Sequence, residues 1–185
     1  MSKVDRRKLK SQEAIKTALL ALMSKKKFDQ ITMQDISDKA NVGRRTIYLH
    51  YLDKFDLLDQ IVMEHINELR NICESASGMS FADGSLIWFD YFERNYDFFS
   101  TMLKSKEVNS YRTRFLEYVN ERLMHCVNVS RGVNEGLNKE VLIHFLGTAI
   151  VGLVESWFTE ELKEPVDVVA KQLGILLDRN LELDQ

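Results

Sequence analysis

The sequence predicts an all-α protein of about nine helices. Proline occurs once, at position 165, and glycine eight times in 185 residues, so the punctuators that short strands and hairpins need are scarce. Leu, Lys and Glu are abundant and runs of β-branched residues are rare, a composition that favours helix. Apolar residues recur at intervals of three and four along most of the chain, the period of a helix with one buried face.

The first helix is expected from about Val4 to Lys26, with Leu9, Ile15, Ala18, Leu19 and Leu22 as its apolar stripe. Its start is basic, through Lys3, Arg6, Arg7, Lys8 and Lys10. That run reads equally well as a solvated terminus and as an arm adding phosphate or minor-groove contacts. Phe28 and Ile31 are expected to pack the N-terminal region. Thr32 then suits a helix N-cap, because its hydroxyl can accept a bond from an orphan backbone N–H. Met33, Ile36 and Ala40 share one face of the helix that follows. Asn41 suits the left-handed residue that ends a helix, and Val42 plugs the corner. Gly43 opens another short helix, Arg44 to about Tyr51, in which Ile47 and Tyr51 face inward. Arg44, Arg45, Thr46, Tyr48 and His50 are left to face outward. Arg and hydroxyl groups bind phosphates, and Arg and His reach base edges, so this exposed row points to DNA.

The segment Ile31 to Leu58 resembles the N-terminal DNA-binding domain of TetR-family transcriptional regulators. The residues that carry the resemblance are Thr32, Ile36-Ser37, Ala40, Val42, Thr46 (or Arg45 beside it), Tyr48, Tyr51 and Lys54. Asn41 replaces the usual turn Gly. Gly43 stands where the family usually has Ser, which removes one hydroxyl cap and phosphate contact. The resemblance implies a three-helix, helix-turn-helix head over residues 1–53 and a helical effector and dimerisation body over 54–185. It also implies double-stranded DNA, a near-palindromic operator, as the partner. The DNA-binding residues are then Thr32, Gly43, Arg44, Arg45, Thr46, Tyr48, His50 and Lys54, with Thr46, Tyr48 and Lys54 as phosphate anchors.

Charge is divided in the same way. Residues 1–55 carry 13 Lys and Arg against 6 Asp and Glu, and residues 56–185 carry 12 against 22. A basic head on an acidic body is what a protein shows when only its head meets a polyanion.

The next helix should start near Asp53 or Lys54 and run to about Ser75 on Leu57, Leu58, Ile61, Val62, Ile66, Leu69 and Ile72. A break follows, marked by Gly78 and Gly84. Ser85 to Ser105 is rich in aromatics, with an interruption near Asp97. Val108 to Val129 carries Phe115, Val119, Leu123 and Val127 on one face. Asn138 to Glu161 is almost wholly apolar from Val141 to Val154, a run short of the roughly 20 residues of a spanning helix. Pro165 opens the last helix, which continues to about Leu183.

The last two helices are the natural homodimer interface, as an intermolecular four-helix bundle. Gly147 and Val151 on the first, and Val169, Leu173, Leu176 and Leu177 on the second, are its candidate residues. Packing of both helices inside one subunit is the alternative, and the family resemblance favours the dimer. The segment from Gly152 to Leu177 also resembles TetR-family members from low-GC Gram-positive bacteria.

Trp88, Phe92, Tyr111, Phe115, Tyr118, His144 and Trp157 are candidates for an effector pocket, whose ligand would be small and apolar or aromatic. Plain core is the competing reading of each, since a helical body needs apolar filling. The resemblance implies an inducer cavity in this region.

Enzymatic chemistry finds no support. His50, His65, His125 and His144 lack metal-ligand spacing, and no Gly-rich phosphate loop occurs. His125 and Cys126 are adjacent on a helix and point about 100° apart, a poor dyad. Cys73 and Cys126 read as reduced thiols of a cytoplasmic protein without cofactor, metal or membrane anchor. The expected function is a dimeric repressor released by a small effector. A transcriptional activator, or an effector-less adaptor acting through protein contacts, is the alternative.

Overall fold

The computed structural model describes residues 3–104 and 109–181. Among them it contains nine α-helices and no strand. These are α1 (Lys3–Met23), α2 (Met33–Ala40), α3 (Arg44–Tyr48), α4 (Lys54–Ser75), α5 (Phe81–Arg94), α6 (Tyr96–Lys104), α7 (Asn109–Cys126), α8 (Lys139–Phe158) and α9 (Val166–Asn180). Single 3₁₀ turns at Phe28–Gln30 and Gly132–Asn134 join neighbouring helices. The chain forms two compact units, Met1–His65 and Ile66–Gln185, so the division falls within α4. The expected helix ends at Ser105, Val108 and Leu183 lie outside the described residues.

In the first unit, α1, α2 and α3 close around Ile15, Leu19, Ile31, Ile36 and Ile47, all essentially inaccessible to water. The α2–α3 corner is built from local chemistry. Asn41 takes the left-handed conformation, φ 52° and ψ 43°, that ends α2. The Ser37 hydroxyl donates to the Val42 carbonyl at 2.7 Å and satisfies the turn from within. Helix α3 is shorter than its sequence pattern indicates and ends at Tyr48 rather than Tyr51. Tyr51 N–H still donates to the Ile47 carbonyl at 3.0 Å, so the inward pair is kept while the helix itself stops.

In the second unit, α5 lies along α9 and α7 along α8. Between them sits a solid aromatic core. Phe92, Phe99, Tyr111, Phe115 and Phe158 are fully buried, and Phe92 meets the Phe99 ring edge-on at 4.8 Å. Asn95, rather than Asp97, interrupts the aromatic stretch, and its amide donates to the Tyr91 carbonyl at 2.9 Å.

Two contacts fix α5 against α9. A Cβ on Gly174 would lie 2.2 Å from the Ala82 Cα, so only glycine permits this approach. Asp178 accepts from the Phe81 and Ala82 N–H groups at 3.0 and 3.3 Å, which supplies acceptors to the orphan donors at the start of α5.

Helix α8 extends over 20 residues, within the expected Asn138 to Glu161. Among the described residues it alone is long and apolar enough to cross a membrane, judged by length and composition. Its surface is nevertheless divided. Leu142, Ile143, Leu146, Gly147, Ile150, Val151 and Val154 are buried in the subunit, while Val141, His144, Phe145, Thr148 and Ala149 are exposed.

Gly174→Ala should cost about 2–3 kcal/mol, because the clash is with backbone and cannot relax by a rotamer change. Chemical denaturation of the full chain measures this. Wild-type stability in the variant would contradict the close approach.

Candidate nucleic-acid interface and body cavity

The surface of the first unit combines a fixed frame with free cations. Thr32 and Asp35 form a reciprocal capping box at the start of α2. The Thr32 hydroxyl accepts from Asp35 N–H at 3.1 Å and donates to the Asp35 carboxylate at 2.7 Å. Its proton is therefore committed within the box, and Thr32 shapes the surface through the cap. Bonds from Thr32, and the Lys26 ammonium at 2.9 Å, lower the Asp35 pKa to about 2. A depressed carboxyl contributes stability above its unfolded value and loses it as pH falls through the folded value. The box is thus intact at neutral pH and opens only between about 4 and about 2.

Gly43 caps α3 without any side-chain bond, and the space where its Cβ would stand is open. Arg44, Arg45 and Tyr48 are exposed, and Thr46 and His50 half-buried. The Arg44 guanidinium lies 5.8 Å from the centre of the Tyr48 ring and 3.5 Å from its hydroxyl. Among the described residues no ion pair engages Arg44 or Arg45. The last turn of this surface also exposes Leu49 and Leu52, which charge-based reading of the sequence overlooked.

Lys54, expected as a phosphate anchor, bonds to backbone within the first unit. Its ammonium donates to the carbonyls of Phe28, Asp29 and Ile31, each at 2.9 Å. An ammonium has three protons, and all three are used. It also sits 4.9 Å from the Phe28 ring centre and 5.3 Å from that of Phe55. Lys54 therefore ties the start of α4 to the turn between α1 and α2.

In the second unit the aromatic side chains divide into core and wall. A cavity of about 250 Å³ opens beside the core, with Cys73, Trp88, Val119, Arg122, Cys126 and Leu173 among its lining residues. Of the seven residues expected to form an effector pocket, Trp88 alone lines this cavity. Phe92, Tyr111 and Phe115 are interlocked in the filled core. Tyr118 is buried, with its hydroxyl 3.1 Å from both the Leu69 carbonyl and the Cys73 sulfur. His144 is exposed on α8, and Trp157 lies half-buried against Tyr96 and Phe158.

Trp88 N–H donates to the Cys73 sulfur at 3.0 Å. The Tyr118 hydroxyl donates toward the Leu69 carbonyl and the Cys73 sulfur, so Trp88 and Tyr118 converge on one thiol. Burial pushes the Cys126 thiol up, so it remains protonated. Sequence reading missed Arg122 and Cys126 as wall residues, although their spacing of four places them on one helix face.

The expected dimer residues are redistributed as well. Gly147, Val151, Val169 and Leu173 are buried within the chain's own second unit. A Cβ on Gly147 would come within 2.0 Å of the Asn120 side chain, so this glycine serves the approach of α8 to α7. Leu177 lines the cavity, and Leu176 is exposed.

Comparison with known proteins identifies the lineage. A profile described as the TetR family of bacterial regulatory proteins matches residues 15–61, and one described as a transcriptional regulator C-terminal region matches residues 80–179. The chain belongs to the TetR family. It is a DNA-binding transcriptional regulator by that membership, and not an enzyme. An uncharacterized HTH-type transcriptional regulator of Bacillus subtilis (strain 168), YxbF, is 43% identical over 52 residues. That match covers 28% of this chain and 14% of the relative's length. A TetR transcriptional regulator from Streptococcus agalactiae 2603V is similar in structure, with a TM-score of 0.70 and 25% identity over 94% of this chain and 96% of that one. FadR from Bacillus subtilis, solved in complex with stearoyl-CoA, shares the fold with a TM-score of 0.67 at 16% identity, covering 92% and 99% of the two chains.

The Lys54 geometry separates two roles by experiment. Lys54→Met should lower the stability of the first unit by about 2–3 kcal/mol through lost charge-assisted bonds. The salt dependence of DNA binding should keep its slope. A slope reduced by about 1, at unchanged stability, would instead make Lys54 a phosphate contact.

Proposed function

We propose that this TetR-family chain is a homodimeric repressor that binds a near-palindromic operator and is released by a small apolar effector. The observation that carries the reading is the exposed basic and aromatic surface of α3, Arg44, Arg45 and Tyr48, held beside a fully capped α2. In this reading α3 enters the major groove, Arg44 and Arg45 meet base edges or phosphates, and Thr46, Tyr48 and His50 hold the backbone. Thr32 and Lys54 act by positioning. The exposed residues of α1, Arg6, Arg7, Lys8 and Lys10, add nonspecific attraction.

The unused apolar surface of α8 supports dimerisation. Val141 and Phe145 are 68% and 65% exposed and Leu176 on α9 is 48% exposed, a costly arrangement for a monomer in water. A partner that buries these residues pairs α8 and α9 of two copies, and the two α3 helices then meet half-sites about 34–36 Å apart.

The cavity is the effector site in this reading. Helix α4 carries Lys54 at one end and the cavity residue Cys73 near the other. A ligand that displaces the Cys73 end therefore acts on the helix that Lys54 anchors. Such control requires the ligand to prefer one of two arrangements of the protein.

Two outcomes test this reading. Arg44→Ala with Arg45→Ala should abolish operator retention in a gel shift, with helical content unchanged. Retained binding would remove α3 from the interface. Phe145→Glu should convert the dimer to monomer in sedimentation equilibrium and weaken operator binding about 100-fold or more, by loss of simultaneous half-site binding. A dimer that survives this change would place the interface elsewhere.

A further inference from the structure

The cavity contains one charge. Arg122, half-buried on α7, lies in its wall among Trp88, Val119, Leu123, Leu173 and Leu177. No hydrogen bond or ion pair engages Arg122 among the described residues. Two carboxylates on the helices that wall the cavity are committed elsewhere. Glu121 pairs with Arg70 at 2.9 Å, and Asp178 holds the α5 N–H groups. Cys126, one turn along α7, stays a neutral thiol. A half-buried guanidinium without a counter-charge is free to take an anionic partner. The site therefore offers a single cation to an anion, in a wall that otherwise holds apolar side chains, serines and thiols.

From this geometry we infer that the cavity takes a small apolar monocarboxylic acid, an aryl-alkanoate or medium-chain alkanoate, with its carboxylate on Arg122 and its apolar body against Trp88, Leu173 and Leu177. The inference rests on the reading of this cavity as the effector site. Its charge and size set the ligand class. The planar fork of Arg matches the two oxygens of a carboxylate. A single cation balances a single negative charge, so a phosphate monoester would bring a second charge into apolar surroundings. The volume of about 250 Å³ lies just under the roughly 300–1,000 Å³ of pockets for drug-sized ligands, which restricts the acid to a small one.

The sequence has two tryptophans, so Trp157→Phe in the full chain leaves Trp88 as the reporter. Its emission is titrated with octanoate and 3-phenylpropanoate, and with octanamide and 3-phenylpropanamide as uncharged isosteres. The acids should bind at least ten times more tightly than the amides, and adding Arg122→Gln should make the two series equal. Thermal unfolding without ligand confirms that the Gln variant folds. Amides that bind as well as acids, or an acid preference that survives Arg122→Gln, would overturn the carboxylate assignment while leaving the effector cavity in place. No response to either series up to millimolar concentration would overturn both.

Discussion

The three bonds from the Lys54 ammonium to the carbonyls of Phe28, Asp29 and Ile31 govern the geometry of the N-terminal unit. The turn between α1 and α2 bonds the Phe28 carbonyl from Ile31 N–H, and Lys54 adds bonds to Phe28, Asp29 and Ile31 from the start of α4. Because Ile31 immediately precedes the Thr32 cap, the same contact fixes where α2 begins. The Thr32–Asp35 box then sets the first turn of α2, and the Ser37 bond to Val42 sets the corner that aims α3. A chain of local satisfactions thus ends in an exposed helix of five residues, too short to hold its own direction. Its orientation is borrowed from the frame.

The C-terminal unit rests on a different economy. Its aromatic side chains lock into a filled core through edge-to-face packing, an arrangement that removes most of the interior as a binding space. The cavity is left at the margin, where the loop after α4 meets α5, α7 and α9. Its wall therefore mixes residue types that a core would not use, including a guanidinium, two thiols and the buried Ser85.

Much of this was legible in the sequence, for identifiable reasons. Helical period indicated about nine helices, though α5 begins at Phe81 and takes in Gly84, which the sequence assigned to a break, and the cap chemistry of Thr32 and Asn41 marked both ends of α2. The end of α3 was harder to read, because Ile47 and Tyr51 keep helical spacing through a turn that has left the helix. The roles of small and aromatic residues were not legible at all. Gly147 signals a close approach, but nothing in its identity says whether the neighbour is α7 of the same chain or a helix of another. Phe92 and Trp88 are both large aromatic residues on α5, yet one fills the core and the other lines a cavity. That distinction depends on packing across helices distant in sequence. Lys54 shows the same limit for charge, since its position in the motif is plain and its partners are backbone carbonyls that no pattern records.

The cap that Asp178 places on α5 also has a consequence in time. Phe81 and Asp178 are 97 residues apart, and Gly174 seats the same pair of helices at nearly the same separation. On the ribosome, α5 can gain neither its cap nor its packing partner until Asp178 has emerged. At synthesis rates of about 5–20 residues per second, that delay is about 5–20 s. The head, closed by contacts among its first 65 residues, has no such wait. A newly made chain thus passes through an interval in which the DNA-reading unit can be complete while the unit that would control it is still unassembled.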